Sequence, residues 1–479
     1  MTETYLIADL MDSSGVKFGT SGARGLVTQM SNEVCYAYTA AFLANVVPDA
    51  SQLVIGHDLR PSSPALAAAC AQAARDANLD IVFVGALPTP AIAFYAAKIK
   101  APALIITGSH IPFDRNGIKF YRAEGEISKT DEQALINAQV TIPVGFTPSK
   151  LPPVCNEAGE VYVKRYVDFF GEGSLNGLRI AVYQHSSVAR EVLTTIFEAL
   201  GAKVLALGRT DTFVPIDTEA VRAEDIEQAQ QWATEHEFDA ICSTDGDADR
   251  PLIGDEQGNW LRGDIVGILC AQFLGADTVV TPVSSNTAVE KSGYFGSVIR
   301  TRIGSPYVIA GMEAASSHPA NSVVGYEANG GFLLGSIIVR NGRSLTALPT
   351  RDAVLPMLAL LFLSRERNVK LSALSNALPM RFTHSNRLQN FAAEHSAALL
   401  TKLAEDSHYA KNLLAPASGE IIHIDNTDGF RVTFANDDIV HLRASGNAPE
   451  LRCYAESSTQ LQAQLLCENS LASIAAGNT

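Results

Sequence analysis

Three aspartates at alternate positions, Asp245, Asp247 and Asp249, follow a short apolar run in the stretch DAICSTDGDADR. Gly246 and Ala248 add no bulk between them, so the three carboxylates can converge. Hard oxygen ligands of this kind select Mg²⁺, Ca²⁺ or Mn²⁺ over Zn²⁺. Three ligands leave such a cation unfinished, and a solvated acidic turn is the competing reading. Four charged residues placed directly after a buried strand favour the metal.

A second loop, TGSHIPFDRNGIKFY (107–121), follows the apolar run PALIIT. A serine hydroxyl there can serve as a nucleophile or a phosphate carrier, and Lys119, beyond the Asn-Gly turn, can move a proton or hold an anion. An ordinary strand-to-hairpin loop would use the same Ser, Asn and Gly as turn formers, so both readings stand. In KFGTSGARG (17–25) the glycines let backbone N–H groups approach an oxyanion that Arg24 could clamp. In RASGNAPELR (443–452), Arg443, Ser445, the amides of Gly446 and Asn447, and Arg452 could surround a phosphate, although an exposed hairpin turn fits equally. GYEANGGFLLG (325–335) sets Glu327 and Asn329 among glycines, which suits a hydroxyl-rich ligand and also a bulged strand.

These loops need strands and helices to position them. The first 150 residues alternate strand-like text (QLVIGHD, DIVFVG, PALIITGS) with helix-like text (SSPALAAACAQAARDAN, PAIAFYAAK), which implies a mostly parallel sheet covered by helices. A Pro-rich linker, TIPVGFTPSKLPPV (141–154), interrupts the pattern. The alternation resumes with LRIAVYQH, a helix over 188–200, KVLALG, a helix over 222–236, and DAICST. A third round begins at Asp264, and past about residue 370 strand pairs joined by turn signals take over. The expected organisation is α/β over 1–150, 151–256 and 257–370, with an α+β domain over 371–479. In open α/β sheets functional loops gather at the carboxyl ends of strands, which is where each stretch above begins.

Bulk properties narrow the function. The 479 residues carry 36 Lys+Arg against 51 Asp+Glu, a formal charge of -15, which disfavours nucleic acid and anionic membrane surfaces as partners. Mean hydropathy is +0.10 and no run reaches the roughly 18 apolar residues of a membrane span. MTETYLIADLMDSS resembles neither a signal peptide nor a basic transit segment. Seven cysteines without a CxxC pair read as reduced, mostly buried thiols, so the expected location is cytoplasmic.

The succession FGTSGARG, TGSHIP…NGIK, DGDADR, GYEANGG and RASGNAPELR, spanning Lys17 to Tyr454, resembles the α-D-phosphohexomutase superfamily of phosphomannomutases and phosphoglucomutases. The resemblance implies a four-domain, heart-shaped architecture with one motif per domain around a central cleft. It implies that Ser109 carries a phosphoryl group, that a hexose bisphosphate forms and turns end for end, and that sugar 1- and 6-phosphates are interconverted. Mannose phosphates are the expected substrates, with glucose phosphates also accepted; phosphoglucosamine mutase and phosphoglucomutase are the alternatives. A metal-dependent sugar phosphatase and a non-catalytic sugar-phosphate binder are rivals from other classes.

The implied cofactors are Mg²⁺, held by Asp245, Asp247, Asp249 and an oxygen on Ser109, and a hexose 1,6-bisphosphate activator. The chain is expected to be a monomer or homodimer. Mg²⁺ with three aspartates carries about -1, and a phosphoserine adds roughly -1.5 to -2, so cations must surround the site. Arg24, Lys119, Arg250 and His110 are the candidates, with Lys119 moving the sugar hydroxyl proton. Arg443, Ser445 and Asn447 would grip the non-reacting phosphate while Glu327 and Asn329 accept hydroxyls in both orientations. In TRIGSPYVIAGM, Gly304 and Ser305 would approach the sugar, with Ser305 also the expected N-cap and Pro306 at N1. Departures from the family pattern fall at Gly108, where Ala is common, at Ile111, at Ser21, in SGNAP, and at Gly331, where GEMSGH-type members have a histidine.

Overall fold

The computed structural model of the chain describes residues 2–19, 22–316, 322–445 and 449–477. Two compact units are present, Met1–Ala276 with Gly304–Leu374, and Asp277–Ile303 with Ser375–Thr479.

The first unit begins with a sheet ordered Lys17–Phe18, Ala23–Leu26, Arg115–Arg122, Ala103–Ile106, Gln52–His57, Asp80–Ala86. Gln52–His57 runs parallel to both Asp80–Ala86 and Ala103–Ile106, and the remaining pairings are antiparallel. Ala103–Ile106 is ALII with every residue buried, the continuous apolar text of a strand covered on both faces. Its alternation divides the core: Leu104 and Ile106 join Leu53, Ile55, Phe42 and Phe120 on one face. Ile105 joins Val54, Val84, Ile92 and Tyr121 on the other. Each such side chain contributes about 1.5–3 kcal/mol on burial. Helix Asn32–Asn45 starts where the Ser31 hydroxyl accepts from the Val34 N–H at 3.3 Å. Because the three parallel strands share a direction, the residues after His57, Ala86 and Ile106 meet at one edge of the sheet.

A second sheet, ordered Lys203–Arg209, Arg179–His185, Ala240–Thr244, Pro251–Gly254, has three parallel strands and an antiparallel fourth. The helices expected over 188–200 and 222–236 are Arg190–Ala199 and Ala223–Glu235. Residues 245–250 form the hairpin turn between Ala240–Thr244 and Pro251–Gly254, so the aspartates sit at a strand's carboxyl end. Val323–Tyr326, Phe332–Leu334 and Leu348–Asp352 form an antiparallel set whose first turn holds Glu327 to Gly331. Asp352 is fixed by Tyr162, which donates at 2.8 Å, and by Tyr166, both on helix Glu157–Phe170.

The expected cap of helix Ser305–Ala315 is shifted by one residue. Gly304, at φ +131°, is the cap and Ser305 is already helical; its hydroxyl donates to Glu126 Oε2 at 3.0 Å instead of receiving helix amides. A positive φ favours glycine at the cap, which frees the serine for another bond.

The second unit contains a five-stranded antiparallel sheet ordered Phe382–Gln389, Glu450–Ser457, Ile439–Ala444, Phe430–Phe434, Ile421–Asp425. Its alternate residues Phe430, Val432, Phe434, Val440, Leu442, Leu451 and Cys453 form a core with Leu403, Leu414 and Leu471 of the helices. All seven cysteines are free thiols, six of them buried. Among the described residues no helix is long and apolar enough to cross a membrane.

Candidate active site

Ser109 stands three residues beyond the strand Ala103–Ile106 with φ at +52°, a left-handed conformation that costs a non-glycine residue about 1–3 kcal/mol. Its neighbours hold it there. The Ser109 N–H donates to Thr107 Oγ1 at 2.7 Å, and Thr107 Oγ1 in turn donates to Asp58 Oδ2 at 2.8 Å. Arg60, only 1% exposed, donates to the carbonyls of Ser109 (2.9 Å), Ile111 (2.6 Å), Pro112 (2.7 Å) and Arg115 (3.0 Å). Its remaining face pairs with Asp58 at 3.1 Å. The serine loop is thus wrapped around one buried guanidinium. That explains Gly108: a Cβ there would lie 2.5 Å from Arg60 Cζ.

The aspartate turn meets this loop. Ser109 Oγ donates to Asp245 Oδ2 at 2.6 Å, across 136 residues of sequence. Thr89 donates to Asp247 Oδ2 at 2.8 Å, and Lys119 Nζ bridges Asp247 Oδ2 and Asp249 Oδ2 at 2.6 Å each. One ligand oxygen from each of the three buried aspartates lies within 4.8 Å of the others. Asp247 Oδ1 and Asp249 Oδ1 are buried with no hydrogen-bond partner. Burial, with Asp247 and Asp249 close by, pushes the Asp245 carboxyl well above the usual carboxylate range. Burial would raise Asp249 too, but Arg351 and Lys119 outweigh it and hold it low; Lys119 does the same for Asp247. Orphaned oxygens on two of three crowded carboxylates are what a hard divalent cation satisfies, so the residues fit a metal ion.

Cations flank the turn. Arg250 Nε lies 3.7 Å from Asp249 and 3.9 Å from Asp245, in ion-pair range, and makes no hydrogen bond. The Arg24 side chain makes no hydrogen bond or ion pair with another described residue; burial and the neighbouring Arg250 lower its pKa to about 10. Burial works against Lys119, yet Asp247 and Asp249 prevail and keep its ammonium above the ordinary value. His110 differs from expectation as a source of counter-charge. Arg250 above all, then burial and Arg24, hold its imidazole well below the usual range, so it is neutral at pH 7. Its Nδ1 is 3.4 Å from Ser109 Oγ.

Arg351, unnoticed in the sequence, donates through Nη2 and Nε to Asp249 Oδ2 at 2.7 and 3.1 Å and through Nη1 to Glu327 Oε2 at 3.1 Å. The Asn329 side chain accepts from the Gly331 N–H at 2.9 Å, so its carbonyl oxygen shapes the turn.

Four domain models match the chain in order: phosphoglucomutase/phosphomannomutase alpha/beta/alpha domain I over 15–142, domain II over 161–258, domain III over 262–382, and the C-terminal domain over 390–472. The chain belongs to the phosphoglucomutase/phosphomannomutase family. It is an α/β phosphohexomutase, an isomerase. A phosphomannomutase of Salmonella muenchen is 47% identical over 99% of this chain and 98% of its own. A phosphomannomutase of Sinorhizobium fredii is 44% identical over 96% and 98%. The crystal structure of a phosphoglucomutase/phosphomannomutase family protein from Burkholderia thailandensis superposes with a TM-score of 0.74 at 20% identity, covering 96% of this chain and 97% of that one. The Aspergillus fumigatus N-acetylphosphoglucosamine mutase, crystallised with GlcNAc-6P and magnesium, shares the fold at a TM-score of 0.60 and 13% identity, over 99% and 100%.

The phosphohexomutase's C-terminal loop lies in the second unit. Arg443 and Arg452 stand directly opposite each other on neighbouring strands, and Arg387 stands opposite Arg452 on the next. Like charges in a cross-strand row destabilise the sheet unless an anion or acid offsets them. Asp428 pairs with Arg443 at 2.9 Å, and Glu450 lies 3.4 Å from Arg387 and 3.8 Å from Arg452. The Ser445 N–H donates to the Glu450 carbonyl at 2.9 Å. Gly446 and Asn447 lie outside the described residues, as do Thr20 and Ser21 of the Arg24 loop.

Asp58, Arg60, Thr89 and Arg351 are members of the site that sequence reading passed over. Asp58 and Arg60 had a usable signal, since they follow the strand QLVIGH as Ser109 follows ALII. Arg351 had none, being an arginine inside a strand.

Proposed function

We propose that this phosphohexomutase is a phosphomannomutase that interconverts mannose 1-phosphate and mannose 6-phosphate through phosphorylated Ser109 and a hexose bisphosphate, and that it also acts on glucose phosphates. The observation that carries this reading is the 2.6 Å hydrogen bond from Ser109 Oγ to Asp245, inside a cluster with Lys119, Asp247 and Asp249. The two phosphomannomutases that match nearly the whole chain at 44 and 47% identity support the choice of sugar.

Lys119 is charged with its proton in place, which equips it for the return half-reaction. As the bisphosphate's P–O bond to the sugar breaks and a P–O bond to Ser109 Oγ forms, Lys119 gives a proton to the departing sugar oxygen, and the Ser109 hydroxyl proton passes to Asp245 Oδ2. The forward half-reaction reverses both transfers. Arg24 and Arg250, with few bonds of their own, take the oxygens of the moving phosphoryl group, and His110 serves as a neutral hydrogen-bonding partner. Asp245, Asp247, Asp249 and an oxygen on Ser109 would hold Mg²⁺, which when bound stabilises the charge on the transferring oxygens. Glu327 with Asn329, Gly304 and Ser305 face the sugar hydroxyls, and Arg443, Ser445, Gly446, Asn447 and Arg452 hold the phosphate that does not react. Hexose 1,6-bisphosphate is the activator. We divide the chain into domains at 1–150, 151–256, 257–370 and 371–479, and take it to be a cytoplasmic monomer or homodimer.

The test is a side-by-side rate comparison on mannose, glucose, glucosamine and N-acetylglucosamine 1-phosphates with Mg²⁺ and catalytic glucose 1,6-bisphosphate. Mannose 1-phosphate should be converted fastest. A faster rate on glucosamine phosphate would make the enzyme a phosphoglucosamine mutase, release of free phosphate at a matching rate a phosphatase, and no turnover of any sugar a binding protein.

A further inference from the structure

Arg351 is 4% exposed and spends its guanidinium on two carboxylates from different loops. Nε and Nη2 both reach Asp249 Oδ2, which also receives Lys119, so this oxygen is saturated while Asp249 Oδ1 accepts no hydrogen bond and has only Arg250 Nε at 3.7 Å. Nη1 reaches Glu327 Oε2, and Glu327 Oε1 makes no hydrogen bond to another described residue. One guanidinium thus pins one oxygen of each acid and leaves the other oxygen of each available. The planar fork matters, since a lysine offers one point charge and cannot hold both geometries.

Gly331 is the counterpart. A Cβ at 331 would lie 2.8 Å from Arg351 Cδ and 3.1 Å from Asn329 Oδ1, so Arg351 fills the room that a side chain at 331 would need. A histidine at that position and an arginine at 351 exclude one another in this backbone.

We propose that Arg351 is a positioning residue that couples the aspartate turn to the sugar loop: it orients Asp249 for the metal ion and Glu327 for the sugar hydroxyls, and makes each depend on the other. The sugar half of this proposal rests on the phosphomannomutase reading; the metal half does not.

Magnesium binding to the full-length chain, measured by calorimetry without sugar, is the first readout. Arg351→Gln should raise the Mg²⁺ dissociation constant about tenfold, the size expected for losing an outer partner of a metal ligand, with Arg351→Lys in between. Glu327→Gln, which touches no metal ligand, should also weaken Mg²⁺ binding, by about threefold, because Arg351 loses its second counter-charge next to Asp249. The second readout is kinetic: Arg351→Gln should raise KM for mannose 1-phosphate, and Glu327→Gln should add little in that background. Should Arg351→Gln fail to fold by circular dichroism, the Lys and Glu327→Gln variants carry the test. Unchanged Mg²⁺ affinity in folded Arg351→Lys and Glu327→Gln, or effects of the two sites that multiply independently, would overturn the coupling. Failure of wild type to convert mannose 1-phosphate would instead sink the substrate reading and leave the metal readout standing.

Discussion

Replacing Gly108 with alanine, a single methyl group, should damage this enzyme far more than its size suggests. The new Cβ would lie 2.5 Å from Arg60 Cζ and 2.6 and 2.7 Å from Nε and Nη2. Arg60 must then withdraw by roughly 1 Å to reach ordinary contact. The guanidinium cannot retreat freely, because it donates to four backbone carbonyls of the serine loop and pairs with Asp58. Loss of two of those charged hydrogen bonds would cost about 3–6 kcal/mol in full, and partial relaxation of the loop brings the expected destabilisation to about 2–4 kcal/mol. Function should suffer more sharply, since a displacement of about 1 Å at a reacting group can cost roughly a hundredfold in rate. The assay is kcat on mannose 1-phosphate for wild type, Gly108→Ala, Arg60→Met and the double variant, beside their thermal midpoints. Arg60→Met alone should be slow because the loop loses its clamp, and adding Gly108→Ala to it should change little because the blocking group is gone. Gly108→Ala with a rate within twofold of wild type, or alanine penalties equal in both backgrounds, would refute the steric argument.

Three other outcomes follow from the site and its surroundings. Intact mass should show one phosphate on part of the wild-type population and none on Ser109→Ala; a persisting adduct in that variant would move the carrier elsewhere. Stripping divalent ions with a chelator should abolish turnover, and Mg²⁺ should restore it in wild type but not in Asp247→Asn, whose replacement removes one of the two orphaned carboxylate oxygens. In the second unit His441 is buried, with Nε2 2.6 Å from the Asp428 carbonyl, and burial pushes its pKa down to about 4. The unfolded imidazole binds its proton near pH 6.5, so stability from neutral His441 is complete above that value and is lost as pH falls toward about 4, by about 2.5 kcal/mol at pH 4.5. Thermal unfolding of wild type and His441→Asn from pH 7 to 4.5 should show a shallower pH dependence in the variant, and parallel curves would exclude His441 as the source.

The parts of the site that can be read in the sequence are those whose residue types are unusual for their setting. Three aspartates after a buried strand, or a serine and histidine at the end of ALII, conflict with what an apolar run normally leads into, and the conflict marks chemistry. The α/β alternation is legible for a related reason: Ala103–Ile106 and Ala240–Thr244 are buried on both faces, so their text is continuous and their ends are sharp. Arg60 and Arg351 escape such reading. Arginine after a strand or within one is ordinary, and what these two do depends on which backbone carbonyls and carboxylates the tertiary fold brings within 3 Å or so of the guanidinium.

The cap of helix Ser305–Ala315 lies one residue before the position the sequence suggests, because Gly and Ser are both acceptable caps; the positive φ at Gly304 decides between them only in three dimensions. Yet the two arginines leave a trace in the sequence. Gly108 and Gly331 are two of the positions singled out in the sequence as departures, and a Cβ at either would lie under 3 Å from the side chain of one of those arginines. A departure toward glycine beside a functional loop therefore points to a bulky neighbour that has taken the space. At both positions here that neighbour is an arginine that organises the loop.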